Sequence, residues 1–205
     1  MRLEATQHGE TEGAYPNAAA FVADLELIDG ALRRNHATVV AETGALADLL
    51  VQARTFGFHL AALDIRQHSD VHDAALTEIF ALAGVCPDYT VLNEDQKLEI
   101  LARELEAPRP LVARDAPLSP RTREVLDTFE VIRRAHKELG EESVRCFIVS
   151  MTHGASDLLE ARLLAREVGL GPVLDFVPLF ETIDDLRGGS ERMTAAFAVP
   201  AYRSY

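Results

Sequence analysis

The sequence predicts a helix-rich α/β fold in which helices cover a parallel sheet, and three observations carry that expectation. Val144 to Ser150 and Val173 to Phe180 are short runs rich in β-branched, aromatic and aliphatic residues, of strand rather than helix length. Between them Ser156 to Val168 has a helical pattern stopped by Gly169, so the second half reads strand, helix, strand, helix, the order that builds a parallel sheet. With 205 residues and 48% hydrophobic content, the chain can bury a substantial core.

Taken in order, residues 1–15 are polar, include His8-Gly9-Glu10-Thr11-Glu12-Gly13 and lack periodicity; they are expected to be a loose leader to a single helix-rich α/β domain over 16–205. From Pro16, Phe21, Leu25, Ile28 and Leu32 recur at three- and four-residue spacing with Asp24 and Glu26 between them, which predicts an amphipathic helix. A second helix is expected over roughly 38–54, built on Val39, Val40, Leu46, Leu49, Leu50 and Ala53. From Phe56 to Leu63 an apolar, buried-looking run of strand length ends in Asp64-Ile65-Arg66-Gln67-His68. Val71 to Leu82 reads as a helix closed by Gly84. Asn93-Glu94-Asp95-Gln96 has the form of a capping box, opening a helix through Leu105. Pro108, Pro110, Pro117 and Pro120 punctuate a loop expected to be an internal hinge. Ser119-Pro120 then restarts a helix whose buried face is Val125, Leu126, Phe129 and Ile132.

Charge and cysteine content narrow the partners. Twenty Lys and Arg stand against 33 Asp and Glu, a net charge of −13, which disfavours nucleic acid and anionic membranes, because phosphate-backbone affinity comes mostly from lysine and arginine. A small anionic substrate stays compatible, since fields decay over roughly 10 Å and only the local cation matters. Cys86 and Cys146 are the only cysteines and lack metal-ligand spacing, so a reducing cytoplasm is the expected location. No apolar stretch approaches the roughly 20 residues of a membrane-spanning helix.

Functional groups in parallel α/β folds gather at the C-terminal ends of the strands, where the sequence places Arg66, Met151 and Glu181. Strand alternation puts Asp64 and Arg66 on one face and Ile65 on the other. An arginine there can bind phosphate or carboxylate through a bidentate fork. Its bland alternative, the commoner fate of a buried arginine, is an ion pair with Asp64 or Glu181. Glu181 ends an apolar strand and suits a hard divalent cation, which takes one or two carboxylates plus water and substrate oxygens. Against that stands a helix-capping role for Glu181, and Asp184 and Asp185 compete as ligands or as complements to a helix dipole. His68 and His72, at i and i+4, offer a weaker zinc site, because Ser69-Asp70-Val71 lacks the glutamate of a zinc-protease helix. Ser69 beside His68 lacks a nucleophile-elbow pattern, and Ser150-Met151-Thr152-His153-Gly154 is readable as a small polar turn.

Four ordered segments resemble the phosphoenolpyruvate carboxylase family. They are Phe56-Gly57-Phe58-His59-Leu60-Ala61-Ala62-Leu63-Asp64-Ile65-Arg66-Gln67-His68-Ser69 with His72 following, Arg109-Pro110-Leu111, Phe147 to Thr152 with Ala155 to Glu160, and Phe176 to Leu186. The resemblance implies part of a mostly helical protein wrapped around a (β/α)8-type barrel, with extra helices and truncated here. It also implies carboxylation of phosphoenolpyruvate with bicarbonate to oxaloacetate and phosphate, using Mg²⁺ or Mn²⁺, in a homo-oligomeric full enzyme. Arg66 then matches the arginine that holds the substrate phosphate, and Glu181 the glutamate that binds the metal. The family's TAHPTE block with its catalytic histidine, its GRGG loop and its YSDS-type segment with a second metal carboxylate are not in these 205 residues. Ala198 to Arg203 resembles the stretch just before the last of these. The chain is therefore expected to be an internal piece with Met1 and its leader as a secondary start, inactive alone and prone to self-association through uncovered faces. The alternatives are a non-catalytic helical assembly or regulatory module, and a zinc hydrolase using His68 and His72.

Overall fold

The computed structural model describes residues 2–9, 12–113 and 115–203. Its contacts divide the chain into two compact units, where the sequence reading has one domain after a leader: one runs up to Ala62 and takes in His136–Ser143, the other comprises Leu63–Ala135 and Val144 onward.

The first unit is helical. The leader contains a short helix, α1 (Arg2–Gln7), where no periodicity announces one. Specific polar contacts hold this segment: Arg2 pairs with Asp24 at 2.8 Å, Tyr15 donates its hydroxyl to the same carboxylate at 2.9 Å, and the Tyr15 N–H reaches Thr6 Oγ1 at 2.8 Å. Helix α2 (Ala18–Arg34) opens where Asn17 accepts from the Ala20 N–H, and it buries Phe21 and Leu25 while Ile28 stays exposed. The helix expected over 38–54 is two, α3 (Thr38–Thr43) and α4 (Ala45–Phe56), broken at Gly44. There the backbone is extended, and a Cβ would lie 2.6 Å from the Val40 carbonyl oxygen. The break turns Val39 and Val40 to solvent, and the small core is Phe21, Leu25, Leu50 and Ala53.

The second unit carries the sheet: β1 (Asp64–His68), β2 (Cys146–Ser150) and β3 (Asp175–Pro178), in that spatial order and parallel throughout. Among the described residues this is an open three-stranded sheet, not a closed barrel. The apolar run from Phe56 is not the strand. It finishes α4 and then turns through Gly57 to Ala62, with Leu60 and Leu63 exposed, and pairing begins only at Asp64. Apolarity alone does not make a strand; β1 exists because it pairs with β2, Arg66 in register with Ile148.

Helices α5 (Ser69–Ala83), α6 (Glu94–Glu106) and α7 (Pro120–Leu139) lie between β1 and β2 in the chain, and α8 (Ser156–Glu167) lies between β2 and β3. After β3 come α9 (Ile183–Ala198) and α10 (Pro200–Arg203). Local signals stop and start several of these helices. Gly84 closes α5 in the left-handed conformation, and the Asn93 and Gln96 capping box opens α6 in both directions. The core stacks Phe129 on Phe147 at 4.8 Å between ring centres, with Phe176 beyond, and surrounds them with Leu76, Ile79, Leu159 and Leu163. The proline-rich loop, expected to be a hinge, is pinned in its described part. Leu111 is buried with its N–H on Glu167 at 2.7 Å, and Ser119 donates its N–H and hydroxyl to Glu78 at 2.6 Å each. No helix among the described residues is long and apolar enough to cross a membrane.

Candidate functional site

Alternation along β1 works as the sequence implies: Asp64, Arg66 and His68 face outward, while Ile65 and Gln67 turn inward. Arg66 sits in the middle of the strand rather than at its end. Its reach brings the guanidinium to the exit of β3, where Nη2 donates to Glu181 Oε1 at 2.6 Å. The two residues are 115 apart in sequence, and their side chains are 53% and 32% exposed. An ion pair this wet contributes at most about 1 kcal/mol to stability. The pairing weighed against a ligand role is thus what the fold contains, and both charges stay within reach of solvent.

Glu181 does not cap α9. That role belongs to Thr182, whose Oγ1 accepts from the Asp185 N–H at 3.0 Å, while the Asp185 carboxylate takes the Thr182 N–H at 3.1 Å. The Thr182 hydroxyl and N–H hold the Asp185 carboxyl below its usual range, with Arg192 adding to the effect. Asp184 is exposed and pairs with Arg187. With the cap filled from within, the Glu181 carboxylate turns towards the sheet, where its Oε2 accepts the Met151 N–H at 3.3 Å.

Met151 follows β2 with a φ of 54°, a left-handed conformation that costs a non-glycine residue about 1–2 kcal/mol. Its carbonyl accepts from Ser69 Oγ at 2.8 Å, tying the end of β2 to the start of α5. The sequence places Met151 at a strand end but gives no sign of this twist, because a small polar turn and a strained amide donor look alike in one dimension.

The histidine pair does not form a metal site. His68 is exposed and caps α5, its Nδ1 accepting the Asp70 N–H at 3.2 Å. His72 is fully buried against Phe129 and Phe147, with Nε2 3.2 Å from Gln67 Oε1. Among the described residues no group of three or more His, Cys, Asp or Glu could hold a metal ion.

A cavity of about 390 Å³ lies among the N-terminal turns of α5, α6 and α8, lined in part by Asp73, Glu94, Lys97 and Asp157, and it includes neither Arg66 nor Glu181. Three of its four carboxylates are already engaged, and the fourth, Asp70, is exposed beside His68. Glu94 takes the N–H and hydroxyl of Ser156, Asp157 the N–H groups of His153 and Gly154, and Asp73 the Lys97 ammonium. Burial raises the Asp157 carboxyl above its usual range despite those donors.

Fold and rim together define a helix-rich α/β protein that brings a cation from one parallel strand and a carboxylate from the segment after another to one solvent-reached edge. The chain belongs to the phosphoenolpyruvate carboxylase family, whose model, described as Phosphoenolpyruvate carboxylase, matches residues 2–205. It is 47% identical over 199 residues to a phosphoenolpyruvate carboxylase of Roseiflexus castenholzii, covering 95% of this chain and 21% of the relative. To that of Rhodothermus marinus it is 48% identical over 202 residues, covering 91% and 22%, and to that of Thermosynechococcus vestitus 41% over 202 residues, covering 93% and 19%. The chain therefore spans about a fifth of the length of the curated relatives it matches.

Proposed function

We propose that this chain is the segment of a phosphoenolpyruvate carboxylase that supplies one phosphate-binding arginine, Arg66, and one metal-binding carboxylate, Glu181. The observation that carries this reading is the 2.6 Å pair itself, two opposite charges delivered to one accessible edge. In the whole enzyme the reaction joins phosphoenolpyruvate and bicarbonate to give oxaloacetate and phosphate, and the three strands here are part of the eight-stranded barrel. The place of work is the cytoplasm.

Glu181 fits Mg²⁺ or Mn²⁺ by its chemistry. It offers hard oxygens, is one-third exposed, and among the described residues its Oε2 is held only by one long N–H bond. A cation held by Glu181 would supply Lewis-acid polarisation of substrate oxygens. Arg66 neutralises the transferring phosphoryl group through its planar fork. Paired at 2.6 Å, Arg66 and Glu181 neutralise each other, so engaging the carboxylate with a cation frees the guanidinium for an anion. Mg²⁺ and phosphoenolpyruvate therefore bind with positive cooperativity. The chain alone turns over no substrate, because the TAHPTE, GRGG and YSDS-type blocks are not in its 205 residues.

Thermal melting with Mg²⁺, phosphoenolpyruvate, or both tests this. Ligand at about 100 times Kd stabilises by about 2.7 kcal/mol, so a rise of several degrees is expected with both ligands, smaller with either alone and lost in Glu181→Ala. No shift at millimolar ligand would favour a non-catalytic helical module. Oxaloacetate formed above background by the clean chain would overturn the claim of inactivity.

A further inference from the structure

Arg192 lies on α9, two turns beyond Asp185, and its side chain leans back towards the helix N-terminus. Its Nε donates to the His153 carbonyl at 2.8 Å, in the loop after β2. Its Nη1 donates to the Asp185 carbonyl at 3.1 Å and lies 3.3 Å from the Asp185 carboxylate. The guanidinium also stands 5.8 Å from the ring centre of Phe180, the residue just before Glu181. One side chain thus touches both segments that meet at Glu181: the loop whose strained Met151 offers it an N–H, and the turn that carries it.

Two glycines make room for this arrangement. A Cβ on Gly188 would lie 3.3 Å from the Arg192 guanidinium carbon, and one on Gly189 would lie 3.0 Å from the Phe180 ring. Each glycine inside a helix costs about 1 kcal/mol relative to alanine, so α9 gives up helix stability where the arginine and the phenylalanine need space.

We propose that Arg192 is a positioning residue that clamps the loop after β2 to the start of α9 and so holds the Glu181 carboxylate against the Met151 N–H. Its consequence for metal binding rests on the reading of Glu181 given above. Outer groups that orient a metal ligand typically alter metal affinity by about 10- to 100-fold when removed.

Two measurements on the 205-residue chain decide it. Hydrogen exchange of the Met151 amide needs no metal: it is expected to speed up about tenfold in Arg192→Met, while core amides such as that of Leu164 keep their protection. Gly188→Ala, which crowds the guanidinium without removing it, is expected to do the same to a smaller degree. Mn²⁺ titration followed by the loss of the free-ion electron paramagnetic resonance signal is expected to show about tenfold weaker binding in Arg192→Met, part of the loss in Arg192→Lys, and none retained in Glu181→Ala. Unchanged Met151 exchange in Arg192→Met overturns the proposal. Faster exchange with wild-type Mn²⁺ affinity overturns the positioning role and leaves a structural clamp. A wild-type chain without Glu181-dependent Mn²⁺ binding refutes the metal reading instead, and the Met151 amide then decides the clamp alone.

Discussion

Acidification to pH 5 should cost this fold a defined amount of stability through His72. The imidazole is fully buried in the first turn of α5 against the stacked pair Phe129 and Phe147, and its Nε2 faces Gln67 Oε1. Gln67 spends its amide N–H on Thr128 Oγ1 at 3.3 Å, so its oxygen is the acceptor and His72 carries its proton on Nε2. Nδ1 is then a bare lone pair, buried and without a hydrogen-bond partner among the described residues. A proton added there has nothing to bind. Burial, with a smaller push from His68, lowers the group from 6.5 to about 4. Above pH 6.5 both folded and unfolded chains are neutral at this site, while between 6.5 and about 4 only the unfolded chain takes the proton. The folded state loses about 1.4 kcal/mol per pH unit, about 3 kcal/mol in all by pH 4. Urea unfolding followed by circular dichroism, for wild type and His72→Gln at pH 7.5, 6.5 and 5, isolates the effect, because the other groups cancel in the difference. The wild-type stability minus that of the variant should be constant from pH 7.5 to about 7 and fall by about 2 kcal/mol between 6.5 and 5. A difference that stays flat, or rises on acidification, would mean that the folded protein admits a charged or hydrated His72, and the burial argument would be wrong.

Glu160 predicts the opposite slope. It is fully buried, the Tyr89 hydroxyl donates to its Oε1 at 3.0 Å, and its Oε2 has no hydrogen-bond partner among the described residues. Burial first and Asp157 second raise its carboxyl to about 8, so its contribution is complete below about pH 4.5 and is lost as the pH rises through 8. Glu160→Gln mimics the neutral acid. Thermal melts should place it within about 1 kcal/mol of wild type at pH 5 and above wild type at pH 9; equal destabilisation at both values would show a working carboxylate instead. At Gly154 an added Cβ would fall 2.5 Å from Glu94 Oε2, displacing the carboxylate that holds the N–H and hydroxyl of Ser156 at the start of α8. Gly154→Ala should cost about 1–2 kcal/mol in urea unfolding, and a variant as stable as wild type would show that α8 needs no such cap.

Features controlled by short-range physics are legible in the residues alone. The Asn93 to Gln96 capping box, the Gly84 stop, the restart at Ser119-Pro120 and the buried face of Val125, Leu126, Phe129 and Ile132 are interactions within a few residues, and each is where the residues place it. The runs that become β2 and β3 were legible from their β-branched and aromatic residues, and the ordered motifs identified the family. Long-range packing settled the rest. Phe56 to Leu63 is as apolar as a strand, yet pairing starts at Asp64, because a strand is defined by its neighbour. No spacing rule links Arg66 to Glu181 across 115 residues, nor says that Thr182 would take the cap and leave the Glu181 carboxylate for the rim. His68 and His72 share a helical spacing but end in water and in the core respectively, because desolvation depends on what packs over a residue, and that is a property of the folded chain.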